Sequence, residues 1–163
     1  MGKVYSLEQL KSLIDANPDH WRPLVFTNGC FDLLHVGHIR YLQAAKAQGK
    51  TLIVGVNGDR SVAQIKPSNQ DKPKRPIIPE AQRAELLTAL ESVDGVVIFY
   101  ETTATKIIET IHPDIYVKGG DYQVETLPES PAVFAYGGKI ELVDIEIPTS
   151  TTKIINKILD INK

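Results

Sequence analysis

Residues 23–56 read PLVFTNGCFDLLHVGHIRYLQAAKAQGKTLIVGV. The first seven form a short apolar run ending in turn residues, the pattern of a buried strand. Val36, Ile39, Leu42 and Ala45 then recur at helical spacing, and Gly49 supplies a stop before Thr51 to Val56 make a second buried run. Strand, helix and strand within about 35 residues make a β-α-β unit.

The alternation continues on the C-terminal side. A helix is expected from Pro79 to about Leu90, a strand at Gly95 to Phe99, and a helix whose Ala104, Ile107, Ile108 and Ile111 share one face. A strand at Asp114 to Val117 follows, then an irregular stretch, a fifth strand at Lys139 to Val143, and a last helix from about Ser150 with Ile154, Ile155 and Ile158 on one stripe. Strands that are continuous apolar runs separated by helices imply a parallel sheet covered on both faces. Ser6 to Ala16 reads as an amphipathic helix closed by Asn17-Pro18, with a packing role only. The expectation is one α/β domain over residues 1–163, with five parallel strands and an N-terminal helical extension over 1–20. In such sheets ligands bind at the carboxyl ends of the strands, beside a topological switch point.

Composition narrows the class. With 163 residues, 42% apolar and 23% charged, the chain suits a globular domain and not a disordered tail. No apolar run is long enough to span a bilayer and the N-terminus lacks an apolar signal core, so a soluble, cytoplasmic protein is expected. Cys30 is alone and cannot form an internal disulfide, and four scattered histidines supply no structural zinc set. A formal charge of −2 gives no global field to draw in nucleic acid, so an anion site must be local. One local excess stands out: Lys66, Lys72, Lys74, Arg75 and Arg83 face only Asp71 and Glu80, among four prolines. A basic, proline-rich loop in a compact domain is more often functional than idle, and it is expected to order over bound substrates.

Residues able to carry chemistry gather at strand ends. His35 and His38 flank Gly37 on the first strand-to-helix turn, where helix amides and a positive dipole end meet an anion and neutral imidazoles can donate to phosphate oxygens. Ser150, Thr151 and Thr152, followed by Lys153, open the last helix; one hydroxyl suffices as a cap, and the others suit phosphates. Arg83 begins a stripe completed by Leu86, Leu87 and Leu90, so it must reach solvent or meet an anion at the sheet edge. Lys118-Gly119-Gly120-Asp121-Tyr122 follows the fourth strand, and its glycines permit close backbone approach to a base or ribose. The chain has no GxxxxGK[ST], no GxGxxG after the first strand and no GxSxG, which removes P-loop, dinucleotide and nucleophile-elbow readings.

The turn cluster FTNGCFDLLHVGH, the loop RPIIPEAQR, VDGVV, VKGGDY and STTKII stand in an order that resembles the cytidylyltransferase-like nucleotidyltransferase superfamily, from about residue 24 to 161. Within it the chain is most similar to the heptose 1-phosphate adenylyltransferase domain of ADP-heptose synthases, VKGGDY being the narrower mark. The resemblance implies a Rossmann-like fold with an HxGH motif. It implies that His35, His38 and Lys66 act on the triphosphate, and that Thr27, Asn28, Phe31 and Gly37 line the nucleotide cleft. Arg83, Lys118, Gly119, Gly120, Asp121, Ser150, Thr151 and Thr152 would complete the grip. The implied reaction joins AMP from ATP to a sugar 1-phosphate, with Mg²⁺ carried on the nucleotide and no metal ligand from the protein. A homodimer and a separate sugar kinase are the implied partners. Two alternatives stay open: a cytidylyltransferase using CTP and a polyol phosphate such as glycerol 3-phosphate, and a non-catalytic nucleotide-binding module.

Overall fold

The strand Leu24–Gly29 (β2) is buried along its first four residues and half-buried at its last two, so its carboxyl end alone meets a cleft. In the computed structural model, which describes residues 2–68, 73–120, 122–144 and 149–161, five more strands run parallel to it. They are β1 (Lys3–Tyr5), β3 (Thr51–Asn57), β4 (Gly95–Phe99), β5 (Ile115–Gly119) and β6 (Lys139–Val143), in the order β1-β4-β3-β2-β5-β6. The helices are α1 (Leu7–Ala16), α2 (Pro18–Trp21), α3 (Val36–Lys46), α4 (Asp59–Ile65), α5 (Glu80–Thr88), α6 (Thr105–Ile111), α7 (Ser130–Ala135) and α8 (Thr151–Ile161).

Alternation along β2 sorts the core into two layers. Val25 faces Leu42 and Ala45 of α3 and Ala84 and Leu87 of α5. Phe26 faces the other way, with Tyr116, Ile107 and Ile108 of α6 and Val133 of α7. β3, buried at all seven residues, is the central strand that such a two-sided sheet requires.

The five expected strands are present, and β1 is a sixth. Its three residues pair with β4 from Lys3↔Gly95 to Tyr5↔Val97. The first twenty residues are therefore more than a helical extension: they supply an edge strand, and Leu10 and Ile14 enter the core beside Trp21. α1 opens with a reciprocal cap in which Ser6 Oγ accepts from the Gln9 amide and Gln9 Oε1 from the Ser6 amide. Among the described residues no helix is long and apolar enough to cross a membrane.

The chain steps outward from β2 to β3 and β4, then returns to place β5 on the other side of β2. β2 pairs with β3 along its whole length, as far as Gly29↔Val56, but with β5 only at Val25↔Ile115 and Phe26↔Tyr116. Beyond Phe26 the β2 and β5 strands part, and the crevice between their carboxyl ends is the switch point at which ligands bind in open α/β sheets.

Candidate active site

Tyr41 closes the floor of this crevice. Its hydroxyl donates to the Val117 carbonyl at 3.0 Å, so the 2.6 Å contact with Thr27 Oγ1 has Thr27 as donor. Thr27 is fully buried beneath the cleft, where it orients Tyr41 and does not line the nucleotide space as expected. Burial pushes the Tyr41 hydroxyl well above the ordinary phenol range, which keeps it a neutral strut.

Above this floor lies a cleft of about 700 Å³. On one wall, α3 begins with His35 as its cap: Nδ1 accepts from the Gly37 amide at 3.1 Å. A ring nitrogen that accepts carries no proton, so the single proton of neutral His35 sits on Nε2. His38 stacks on His35 with ring centroids 3.9 Å apart, and Phe31 meets His38 edge-on at 5.4 Å. Burial, reinforced by the neighbouring His35, lowers the His38 pKa to about 4; burial lowers that of His35 as well. Both rings are neutral at pH 7. His38 Nδ1 is buried with no hydrogen-bond partner among the described residues.

Phe31 adopts a left-handed backbone conformation, φ 46°, which costs a non-glycine residue energy and turns the chain sharply from β2 toward α3. Gly29 lies under the Phe31 ring, where a Cβ would come within 3.0 Å of it. Asp32, 1% exposed, fastens this turn to the basic loop: its carboxylate accepts from the Ile77 and Ile78 amides at 2.8 and 2.9 Å and from Arg75 Nε.

Beside the histidine turn, the start of α8 supplies three hydroxyl residues with separate tasks. Ser150 Oγ accepts from the Lys153 amide, Thr151 Oγ1 donates to the Leu33 carbonyl of the histidine turn, and Thr152 lines the cleft beside both. Lys66, at the end of α4, and Arg75 line the same space. On the β5 side, Lys118 Nζ donates to Asn28 Oδ1 at 3.1 Å, and the Tyr116 hydroxyl reaches the same oxygen at 2.7 Å. Burial lowers the Lys118 pKa, while the nearby Glu129 works against that shift. Gly119 packs on Tyr41, where a Cβ would meet ring carbons at 2.8 Å, and Gly120 has φ 93°, a conformation that glycine alone adopts freely.

Of the residues expected at the site, the cleft thus gathers His35, His38, Lys66, Asn28, Phe31, Gly37, Lys118, Gly119, Gly120, Ser150, Thr151 and Thr152. Asp121 and the central residues of the basic loop, 69–72, lie outside the described residues. Arg83 is the correction. It is fully buried, and its guanidinium donates to the Ile78 carbonyl at 2.8 Å, to Asp59 Oδ1 at 2.8 Å and to the Cys30 carbonyl. The anion it meets at the sheet edge is the protein's own Asp59, three of its five N–H groups are spent on protein oxygens, and the side chain is not among those that line the cleft.

Arg75, expected only as a member of the basic loop, lines the cleft, and so do Tyr41, Asn57, Thr102 and Glu129, which sequence reasoning missed. Tyr41 carried a usable signal, standing one helical turn beyond His38. Glu129 carried none, since it lies in a stretch without periodicity.

The sequence matches the cytidylyltransferase-like family over residues 26–157. It is 48% identical over 158 residues to the bifunctional protein HldE of Geobacter metallireducens, a match covering 97% of this chain and 31% of that protein. The corresponding protein of Syntrophotalea carbinolica is 46% identical over 159 residues, with 98% and 31% covered. The chain spans about a third of the length of these curated relatives. Among solved structures, a lipopolysaccharide core biosynthesis protein from Thermoplasma volcanium superposes with a TM-score of 0.58 at 30% identity, covering 77% of this chain and 97% of that one. Pantoate-beta-alanine ligase from Francisella tularensis, at 16% identity and a TM-score of 0.60 over 98% of this chain and 78% of its own, shares the fold. A stacked histidine pair at the start of α3, a hydroxyl-rich start of α8 in the same cleft and a family match over most of the chain agree with one another: this chain belongs to the cytidylyltransferase-like family.

Proposed function

We propose that the protein transfers AMP from ATP to a sugar 1-phosphate, heptose 1-phosphate being the acceptor, and releases pyrophosphate and an ADP-sugar. The observation that carries this reading is the pair of neutral, stacked imidazoles on the α3 start, gathered with the hydroxyl-rich start of α8 in one cleft that Lys66, Arg75 and Lys118 also line. Two helix N-termini converging on one space favour a polyanion. The similarity to a lipopolysaccharide core biosynthesis protein supports a sugar acceptor, because that core is a saccharide. VKGGDY supports ATP, through its resemblance to the adenylyltransferase version of this loop.

The chemistry asks little of the protein in proton transfer. An oxygen of the acceptor phosphate, already ionised at neutral pH, forms a bond to the α-phosphorus as the bond to the bridging β-phosphate oxygen breaks, and pyrophosphate carries away the electron pair. The chain's work is to hold two anions in line and to stabilise the charge that builds on the leaving group. His35 Nε2–H serves as a donor that needs no charged imidazolium in a partly buried wall. Thr152 and the Thr151 and Thr152 amides at the α8 start receive the distal phosphates, and Lys66 meets them from the α4 side.

ATP enters as its Mg²⁺ complex, with the ion held by phosphate and water oxygens. Asp32, the carboxylate nearest the histidine turn, is already engaged by Arg75 and two backbone amides and so suits the role of a loop anchor. The same reading takes the acceptor from a separate sugar kinase and has the chain act as a homodimer, both implied by the resemblance. Incubation with MgATP and heptose 1-phosphate, followed by ³¹P NMR, tests the reaction: the expected spectrum gains a diphosphate diester pair and free pyrophosphate. Formation of ADP or AMP without a sugar adduct would contradict the proposal.

A further inference from the structure

Glu129, immediately before α7, is 3% exposed and lines the cleft. Its Oε1 accepts from the Ala104 amide at the start of α6, at 3.1 Å. Its Oε2 is buried and has no hydrogen-bond partner among the described residues. The Tyr116 hydroxyl lies close enough to this carboxylate for the two to interact, but its proton is directed to Asn28 Oδ1 at 2.7 Å. An acceptor oxygen held out of water without a donor is the costliest state of a polar group, and the reaction as derived above makes no use of it.

Its location limits what it can accept from. The histidines stand on α3, which packs on the Val25 face of the sheet. α6 and α7, which frame Glu129, pack on the Phe26 face. Glu129 thus reaches the cleft from the side opposite the histidines. In-line displacement brings the attacking phosphate to the α-phosphorus from the side opposite the leaving pyrophosphate, so the acceptor occupies the Glu129 side. A carboxylate repels every phosphate in the reaction and attracts hydroxyl donors. Lys118 stands beside it as the cation for the acceptor's phosphate, its charged form favoured by Glu129. An ammonium next to a carboxylate matches a ligand that carries a phosphate at one end and hydroxyls at the other.

We propose that Glu129 is the specificity-determining residue for the acceptor, its Oε2 receiving a hydroxyl of the sugar ring. The proposal rests on the reading of the protein as a sugar 1-phosphate nucleotidyltransferase. Glu129→Gln keeps an Oε1 acceptor for Ala104 and replaces Oε2 by an amide nitrogen. In steady-state assays with MgATP and heptose 1-phosphate it raises the acceptor KM about tenfold, the loss expected when a charge-assisted hydrogen bond goes, with the ATP KM within about twofold and Tm unchanged.

An ATP KM that rises as much as the acceptor KM would assign Oε2 to the nucleotide ribose and overturn the proposal. A folded variant with an unmoved acceptor KM would overturn it too, while leaving the reaction standing. A wild-type protein that does not turn over heptose 1-phosphate with ATP would overturn the reaction and the proposal together. Monodeoxy analogues of the acceptor make the test independent of the variant's folding: with wild-type protein one of them loses about tenfold in kcat/KM. No loss with any analogue would overturn the assignment.

Discussion

Two imidazoles stacked 3.9 Å apart repel if both carry charge, and His38, the more buried, is the one pushed down to about 4. On the proposed reaction, neutrality is what the site needs from them: an uncharged N–H can wait in a partly dry wall and donate when charge develops on the leaving phosphates. His35→Ala and His38→Ala should each lower kcat by about 10² to 10³, with a smaller change in ATP affinity, because a preorganised donor acts mainly on the transition state. A variant that loses affinity and keeps kcat would contradict this. The pair also makes stability depend on pH. Between the ordinary value of 6.5 and about 4, the unfolded chain binds the proton that folded His38 refuses, so stability falls as pH drops through this window and levels off below it. Denaturant titrations should show a smaller loss from pH 7 to pH 5 in His38→Asn than in wild type. The histidines were legible because both partners lie within four residues of each other. Arg83 was legible only as a charge on an apolar stripe, since the oxygens that bind it come from Cys30 and Asp59, far off in the chain.

That arginine matters at the scale of elements. It ties the β2–α3 turn, the start of α4 and the loop before α5 into one knot, and Asp32 ties the same turn to Arg75, Ile77 and Ile78. The cleft wall is therefore rigid where substrates need it to be. Arg83→Lys supplies a point charge in place of a fork and leaves buried carbonyls without donors; urea denaturation should register a loss of about 2 to 4 kcal/mol, with the ATP KM of the folded protein unchanged. Full stability with a raised ATP KM would instead return Arg83 to the nucleotide. Elements long enough to display a period were legible, as in α1, α3, α6 and β3. β1 was not, because three residues show no alternation and only their pairing with β4 defines them. α7 was not, because six residues opening on Ser130-Pro131 resemble a turn, and Glu129 went unseen with it.

At the scale of the molecule, strand order sets the division of labour. β2 parts from β5 beyond Phe26, and the crevice so formed receives helix starts from both faces of the sheet: α3 with its histidines on one, α6 and α7 with Glu129 on the other. A nucleotide and a sugar phosphate can then meet over the strand ends without sharing a wall. The proposed base recognition would use backbone groups at Gly119 and Gly120, which one ring system can satisfy and another of different size and donor pattern cannot. An unpaired buried group costs about 1 to 3 kcal/mol, so a single mismatch gives roughly 5- to 150-fold discrimination. The most direct test is kcat/KM for ATP and for CTP, each with heptose 1-phosphate and each followed by pyrophosphate release. A preference for ATP within that range is expected, and equal values or a preference for CTP would contradict adenylyl transfer.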